Sequence, residues 1–294
     1  MSGSRRRFVD LHTHSTASDG QLRPAELIAL AERKHLAMVA LTDHDTMDGL
    51  AEARAAAAGF PGLRFVGGIE VSARFPTGTL HILGLGVDER SPAIASLCRQ
   101  LVAARDSRNP RIIARLRELG IAIEMEDVRA VAGHGRIVGR LHIAEALRRK
   151  GHVKTTQEAF DTLIGNGRAA YVDKERLWPR QAIEAIRAGG GVAALAHPPQ
   201  LRCANRAELE RVLRSLIRDG LGGIEVYHSE NTPEQTRLYL DLARRFRLAV
   251  TGGSDFHGPA KPEARLGIPR VPLAAIAERI AFPRAGGDAK GRVT

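Results

Sequence analysis

Six of the eleven histidines stand at or just beyond short apolar runs, and carboxylates recur beside them. His12 and His14 form an H-x-H pair in DLHTHS, and Asp19 follows in STASDG. His44 sits in LTDHDT, Glu70 in GGIEVS, His81 in TLHILG and His197 in LAHPP, while Asp255 and His257 close the series in GGSDFH. Residues two apart on an extended chain project to the same side, so both i,i+2 pairs can aim at one point. A single histidine is commonly a packed or surface residue, but recurrence of His and carboxylates after five or six separate runs points to metal. Imidazole and carboxylate together suit zinc, manganese or iron rather than calcium or magnesium alone. Nine donors exceed what one ion can use. At three or four protein ligands per ion, with a position left for water, they fit two or three divalent ions sharing a bridging carboxylate. Hydrolysis at such a centre needs no serine or cysteine nucleophile, and Cys98 and Cys203 lie outside all of these motifs.

The elements that must position these groups alternate along the chain. RRFVDLH (6–12), HLAMVALTDHD (35–45), LRFVGGIEVS (63–72), TLHILGLGV (79–87), GVAALAH (191–197), LGGIEVY (221–227) and LAVTGGSD (248–255) read as buried strands. RPAELIALAERK carries Pro24 near its first turn, and TPEQTRLYLDLARRF places Thr232 as an N-cap before Pro233, so both read as helices. The alternation predicts parallel βαβ units wound into a barrel or an open sheet. In a barrel the C-terminal strand ends converge on one face, where the donors would meet. Residues 91–188 break the rhythm with successive helical patterns, among them SPAIASLCRQLVAARDSR and NPRIIARLRELG. This stretch reads as a helical insertion that leaves the barrel after one strand and returns to the next. The expected organisation is a discontinuous barrel over 6–90 and 189–282, an insertion subdomain over 91–188 and a flexible tail over 283–294.

The 294 residues are 44% hydrophobic, enough for a large core and too apolar for a disordered chain. The net charge is +11, carried by 38 Arg and 6 Lys against 33 acidic residues. Between 95 and 180 there are 17 basic and 10 acidic residues, so +7 of the surplus falls on the insertion. That surplus predicts an anionic partner, against the alternative of an arginine-rich coding bias. Two distant cysteines make neither a zinc motif nor a disulfide framework and fit a reduced, cytoplasmic setting. No secretory signal and no apolar run of roughly 18–20 residues is present, so a soluble protein without membrane or obligatory protein partners is expected.

Taken together, DLHTHSTASDG, LTDHDT, GIEVS, HILG, AHP and GGSDFHG resemble the polymerase and histidinol phosphatase (PHP) family over residues 10 to about 258. The resemblance implies a distorted (β/α)7 barrel with a trinuclear metal centre at the C-terminal strand ends. It implies that His12, His14, Glu70 and Asp255 hold one ion and that Glu70 bridges to a second held with His81 and His197. Asp19, His44 and His257 would hold the third. All nine positions are filled. Mn, Fe or Zn would serve, with Mn favoured. Length and the GRLHIAEAL segment resemble the small phosphoesterases of the family, which implies removal of the 3′-phosphate of nucleoside 3′,5′-bisphosphates through a metal-bridged hydroxide. A 5′→3′ exoribonuclease acting on short RNA is the alternative, followed by a histidinol-phosphate phosphatase and a non-catalytic binding domain. The same resemblance places Arg140 and His142 against substrate phosphate.

Other residues carry separate expectations. His228, in EVYHS, and Arg168, in GNGRAAY, are further candidates for substrate contact. Asp10, Asp43 and Asp45, acidic neighbours of the donors, are expected to orient imidazoles. His134 and His152, beside glycines, read as exposed loop residues, and Trp178, before Pro179, as a packing anchor.

Overall fold

The computed structural model describes residues 7–132, 138–173, 177–259, 261–276 and 280. His134 and the expected tail at 283–294 lie outside the described residues. Strands form at each of the seven apolar runs: β1 (Phe8–Asp10), β2 (Met38–Leu41), β3 (Arg64–Ala73), β4 (Leu80–Leu85), β5 (Val192–Leu195), β6 (Gly223–His228) and β7 (Ala249–Gly253). A two-residue strand, β8 (Val271–Pro272), is added beside β1. The sheet order is β7-β6-β5-β4-β3-β2-β1-β8. The chain beyond β1 then closes the ring on β7 and its continuation. The Leu11 N–H donates to Gly252 O at 3.1 Å, the Asp255 N–H to His12 O at 2.9 Å and the His14 N–H to Phe256 O at 2.9 Å. The result is a nearly closed α/β barrel, as the resemblance implied.

One expectation needs correction. β4 runs antiparallel to both β3 and β5 rather than parallel. Only residues 74–79 separate β3 from β4, too short a connection for the helical crossover that parallel strands require. The reversal brings His81, near the start of β4, opposite Ser72 near the end of β3. It thereby reaches the same rim as donors that follow the other strands.

Alternation along β3 separates two faces. Val66 joins Leu83, Leu85, Ala194 and Ala249 in a cluster made almost wholly of strand residues, the barrel interior, and Glu70 lies in phase with it. Ile69 and Val71 face the surrounding helices α7 (Pro179–Ala188), α8 (Arg206–Arg218) and α9 (Pro233–Phe246). On the opposite flank α1 (Pro24–Arg33) and α2 (Leu50–Ala57) cover β2 through Leu27, Ile28, Leu50 and Val39. The helix starts follow the sequence cues: Pro24 occupies the first turn of α1, and the Thr232 side chain accepts the Gln235 N–H in front of α9.

Between β4 and α7 run α3 (Pro92–Glu118), α4 (Met125–Ala132), α5 (Arg140–Arg149) and α6 (Thr156–Ala159), the last continuing into a π-turn over Phe160–Ile164. The two helical patterns on either side of Asn109 are a single 27-residue helix that passes through Pro110. Its first half packs Ile94, Leu97 and Leu101 with Ile183 and Ile186 of α7 against the barrel. Its second half contributes Ile112, Ile113 and Leu116 to a separate cluster with Val128, Ile143, Leu147, Ile164 and Val172. Trp178 is not a packing anchor: it caps α7 from outside and is 59% exposed.

Candidate metal centre

The nine predicted donors converge at one rim of the barrel. His12 and His14 follow β1, flanking Thr13, whose hydroxyl donates to Ala40 O at 2.6 Å and whose N–H donates to the Thr42 hydroxyl at 3.2 Å. Tying the middle residue to β2 frees its two neighbours to point the other way. His12 Nε2 lies 3.3 Å from both Glu70 Oε2 and Asp255 Oδ1, and His14 Nε2 lies 3.3 and 3.1 Å from the same two oxygens. Glu70 Oε1 lies 2.8 Å from His81 Nδ1 and 2.9 Å from His197 Nε2, which are 3.2 Å apart. On the third side, Asp19 lies 3.4 Å from His257 Nε2 and 3.9 Å from His44 Nε2, with His14 Nδ1 at 4.0 Å. The groupings overlap rather than fall into three separate sets. His14 also approaches the Asp19 group, and His44 Nδ1 contacts Glu70 Oε2 at 2.9 Å.

Several of these buried atoms have no hydrogen-bond partner: His12 Nε2, both ring nitrogens of His14, His44 Nδ1 and Glu70 Oε2. Buried polar atoms left unpaired cost free energy, and here they point at one another, an arrangement that divalent cations would satisfy. Burial drives the His81 imidazole down to about 4, partly offset by Glu70. Burial also works against charge on His44, but Glu70 and Asp19 beside it hold its pKa up at about 9. A cation entering there displaces a proton. Glu70 resists burial to stay ionised well below the usual carboxylate range, held by His44, His81 and His12.

Asp10 and Asp43 are corrected from imidazole partners to clamps on the loops that bear the donors. Asp10 accepts from the Ser254 N–H and hydroxyl and from the Gly267 N–H, tying β1 to the segment beyond β7. Asp43 accepts from the Ser15 N–H and hydroxyl and from the Ser18 hydroxyl, which fixes the turn leading to Asp19. Asp45 accepts from the Ser72 N–H at 3.1 Å and pairs with Arg105 of α3.

The group that orients an imidazole is Glu225 of β6. One of its oxygens contacts His12 Nδ1 at 3.0 Å, and the other accepts the His197 N–H at 2.6 Å. Burial opposes its charge, but His12 and His228 keep it ionised. A signal for it stands in the sequence, since GIEV occurs both at 68–71 and at 223–226 and each copy places a glutamate at the centre. His197 takes a φ of 22° and Asp255 one of 55°, left-handed conformations that side chains favour only when the surroundings impose them. The bond from Glu225 to the His197 N–H is one such imposition.

The expected substrate residues occupy different places. His142, at the start of α5, lines a cleft of about 900 Å³ together with Asp19, His257 and Lys261. Burial lowers its pKa, with Asp19 and Arg105 acting in opposite directions. His228 is buried beside the centre, its Nε2 3.9 Å from Asp255 Oδ2 and without a hydrogen-bond partner. Arg140 is held inside the subdomain by Phe160 and Tyr171, whose ring centroids lie 5.8 and 5.5 Å from its guanidinium carbon. Arg168 stands on an exposed turn and does not line the cleft. His152 is exposed and contacts Ala122 O.

Sequence reasoning missed Lys261, whose Nζ donates to Asp255 Oδ2 at 2.7 Å, and the buried arginines of α3. Arg108 donates to Asn109 Oδ1 at 2.7 Å, and no carboxylate pairs with it among the described residues. Burial, with Arg105 and Arg140 nearby, lowers its pKa to about 9. Arg105, ion-paired to Asp45, and Arg140 thus both lie close enough to Arg108 to act on its charge. The positions of Arg105 and Arg108 on α3 carried no sequence signal beyond the general basic surplus, whereas Arg140 was marked by the GRLHIAEAL segment.

A sequence profile described as the PHP domain matches residues 10–220. The chain belongs to the PHP domain family. Three relatives are each 35% identical to it. They are the 3′,5′-nucleoside bisphosphate phosphatase of Chromobacterium violaceum (86% of this chain, 88% of that one), the phosphoribosyl 1,2-cyclic phosphate 1,2-diphosphodiesterase of Eggerthella lenta (85% and 94%) and the 5′-3′ exoribonuclease of Haemophilus influenzae (85% and 90%). A crystal structure from Bifidobacterium adolescentis, assigned as a metal-dependent phosphoesterase, superposes with a TM-score of 0.83 at 34% identity, covering 91% of this chain and 93% of that one. This PHP protein is a metal-dependent phosphoesterase, and its His, Asp and Glu clusters are able to hold metal ions.

Proposed function

We propose that this PHP enzyme removes the 3′-phosphate from nucleoside 3′,5′-bisphosphates, such as adenosine 3′,5′-bisphosphate, to leave a 5′-monophosphate and phosphate. The observation that carries the reading is the pairing of a donor-rich rim with a buried guanidinium, Arg108, that no carboxylate pairs with among the described residues. A substrate with two phosphates answers both: the scissile group meets the rim, and the second phosphate meets Arg108, Arg140 and His142. Guanidinium groups suit this task because their planar fork matches a phosphate bidentately. The C. violaceum relative, named for the same substrate class, supports the choice.

In this reading His12, His14, Glu70 and Asp255 hold one ion, Glu70 with His81 and His197 a second, and Asp19, His44 and His257 a third. Manganese suits the mixed imidazole and carboxylate set. When bound, the ions supply Lewis acidity to the phosphoryl oxygens and an activated water. Glu225 keeps the His12 proton on Nδ1 so that Nε2 faces the centre. Lys261 fixes the outer oxygen of Asp255, and the buried His228 Nε2 contacts the phosphoryl group or its leaving oxygen. Segment 91–188 acts as the substrate-holding subdomain on the barrel of 6–90 and 189–282, with its own core around Ile112, Ile143 and Val172. The two unpaired cysteines support a cytoplasmic setting, and no helix among the described residues is long and apolar enough to cross a membrane.

The test is Arg140→Ala assayed with Mn²⁺ on adenosine 3′,5′-bisphosphate and on an aryl phosphate. The expected result is a loss of kcat/KM on the bisphosphate at least tenfold greater than on the aryl ester, while equal losses refute the second-phosphate role. Exonucleolytic action on short 5′-phosphorylated RNA is the second reading, favoured by the H. influenzae relative and by the basic surplus. A strong fall of activity with salt on longer substrates would mark it.

A further inference from the structure

Trp178 is the chain's single tryptophan, and it stands 59% exposed at the start of α7. Its indole is not loose. The Arg74 guanidinium carbon lies 4.9 Å from the ring centroid, and the Trp178 backbone N–H, which carries no part of the ring, donates to Gln181 Oε1 at 2.9 Å. Leu177 just before it is clamped to the end of β3, its carbonyl accepting the Arg74 N–H at 2.7 Å. An aromatic face this expensive to leave in water, fixed from below by a cation and from behind by backbone, is built to receive something flat.

Its location says what. Trp178 and Arg74 border a cleft of about 890 Å³ whose other walls are Leu101, Ala104 and Ser107 of α3 and Asp173. Arg74 follows the last residue of β3, four residues beyond Glu70 and roughly 13 Å from it along an extended chain at 3.3 Å per residue; the cleft itself is lined by none of the nine donors. On α3, next to the lining residues Ala104 and Ser107, stand the buried Arg105 and Arg108.

We infer that Trp178, backed by Arg74, is a stacking platform for the nucleotide that follows the scissile phosphate in a short 5′-phosphorylated RNA. Stacking is open to every base because each has a π-face, and arginine adds cation–π and phosphate contacts. Gln100 and Gln181, which also line the cleft, offer amides to a base edge. A nucleoside bisphosphate ends at the scissile phosphate and does not reach the platform. The inference rests on the proposed nucleotide phosphoesterase activity and extends it to an oligonucleotide path.

Because Trp178 is the single tryptophan, its fluorescence reports the platform directly. The wild-type protein is titrated with a non-hydrolysable phosphorothioate pentaribonucleotide and with adenosine 3′,5′-bisphosphate. kcat/KM is measured on the bisphosphate and on the natural pentanucleotide for wild type, Trp178→Ala and Trp178→Phe. The expected results are quenching by the pentanucleotide alone, a fall of roughly 5- to 100-fold on the pentanucleotide for Trp178→Ala, an unchanged rate on the bisphosphate and substantial recovery with Trp178→Phe. Equal losses on both substrates, or bisphosphate turnover with no quenching by the oligonucleotide, overturn the platform. Quenching without hydrolysis of either substrate leaves the platform standing and overturns the activity on which it was built.

Discussion

Replacing Glu225 by Gln changes almost no volume, yet it disturbs the centre through hydrogen-bond polarity. Each carboxylate oxygen faces a donor: one takes His12 Nδ1 at 3.0 Å and the other the His197 N–H at 2.6 Å. A glutamine keeps one acceptor and turns an NH₂ group toward the other site. If the amide faces the His197 N–H, two buried donors oppose each other, at a cost of about 1–3 kcal/mol. If it faces His12, the ring must accept at Nδ1 and carry its proton on Nε2, the nitrogen that lies 3.3 Å from Glu70 and Asp255. Either outcome weakens a donor, and loss of such an outer partner typically costs 10- to 100-fold in metal affinity. Calorimetric titration of chelator-stripped protein with Mn²⁺ should therefore give a Kd raised by about that factor. The melting temperature of the stripped protein should fall by only a few degrees. A wild-type Kd in the variant would refute the reasoning, even if the melting temperature dropped, because the role would then be one of folding alone.

Three more outcomes follow from other contacts. Glu70→Gln should strip at least two ions per chain in elemental analysis, since Glu70 meets His12, His14, His44, His81 and His197 within 3.3 Å; an unchanged metal count would end its bridging role. Arg105→Met leaves the Asp45 carboxylate buried without its cation, which should cost about 3–5 kcal/mol and be seen as a large fall in melting temperature. A fall of no more than a degree or two would show that the pair contributes little. The Cys98 thiol is pushed up to about 12 by burial, with Asp45 and Asp48 adding to the effect. A raised pKa keeps the thiol protonated until the solution nears that value, so iodoacetamide at pH 8 should react on the order of a thousandfold more slowly than with a free cysteine. Complete labelling within minutes would contradict this burial.

What the sequence disclosed was local, and what it hid was direction and distance. Apolar runs marked β1 to β7, because a strand buried on both faces leaves a nearly continuous hydrophobic trace. β8 left none, being two residues long and half proline. The reversal of β4 was available only through the brevity of 74–79, which strand-and-helix counting ignores. The two helical patterns split at Asn109 are one helix, α3, that passes through Pro110, with packing on both sides of the proline offsetting one lost hydrogen bond. The donors were legible since histidine and carboxylate stand out against apolar surroundings. Glu225 was marked only by the second GIEV, and its role emerged when β6 brought it within 3.0 Å of His12 Nδ1. The arginines of α3 were hidden differently, as their convergence with Arg140 depends on how the subdomain folds over the rim.

The closure of the ring through the segment beyond β1 has a consequence for synthesis. Asp10 meets Ser254 across 244 residues, and the candidate donors run from His12 to His257, so the first of them leave the ribosome long before their partners exist. A nascent chain holding only His12, His14, Asp19 and His44 has neither Glu70 nor Asp255 to anchor an ion between them. Cations that bind the folded state and not the partial one stabilise by mass action only what is complete. Metal capture is therefore a late event that rewards a finished barrel, and a chain truncated before β7 would forfeit its ions together with its closing seam.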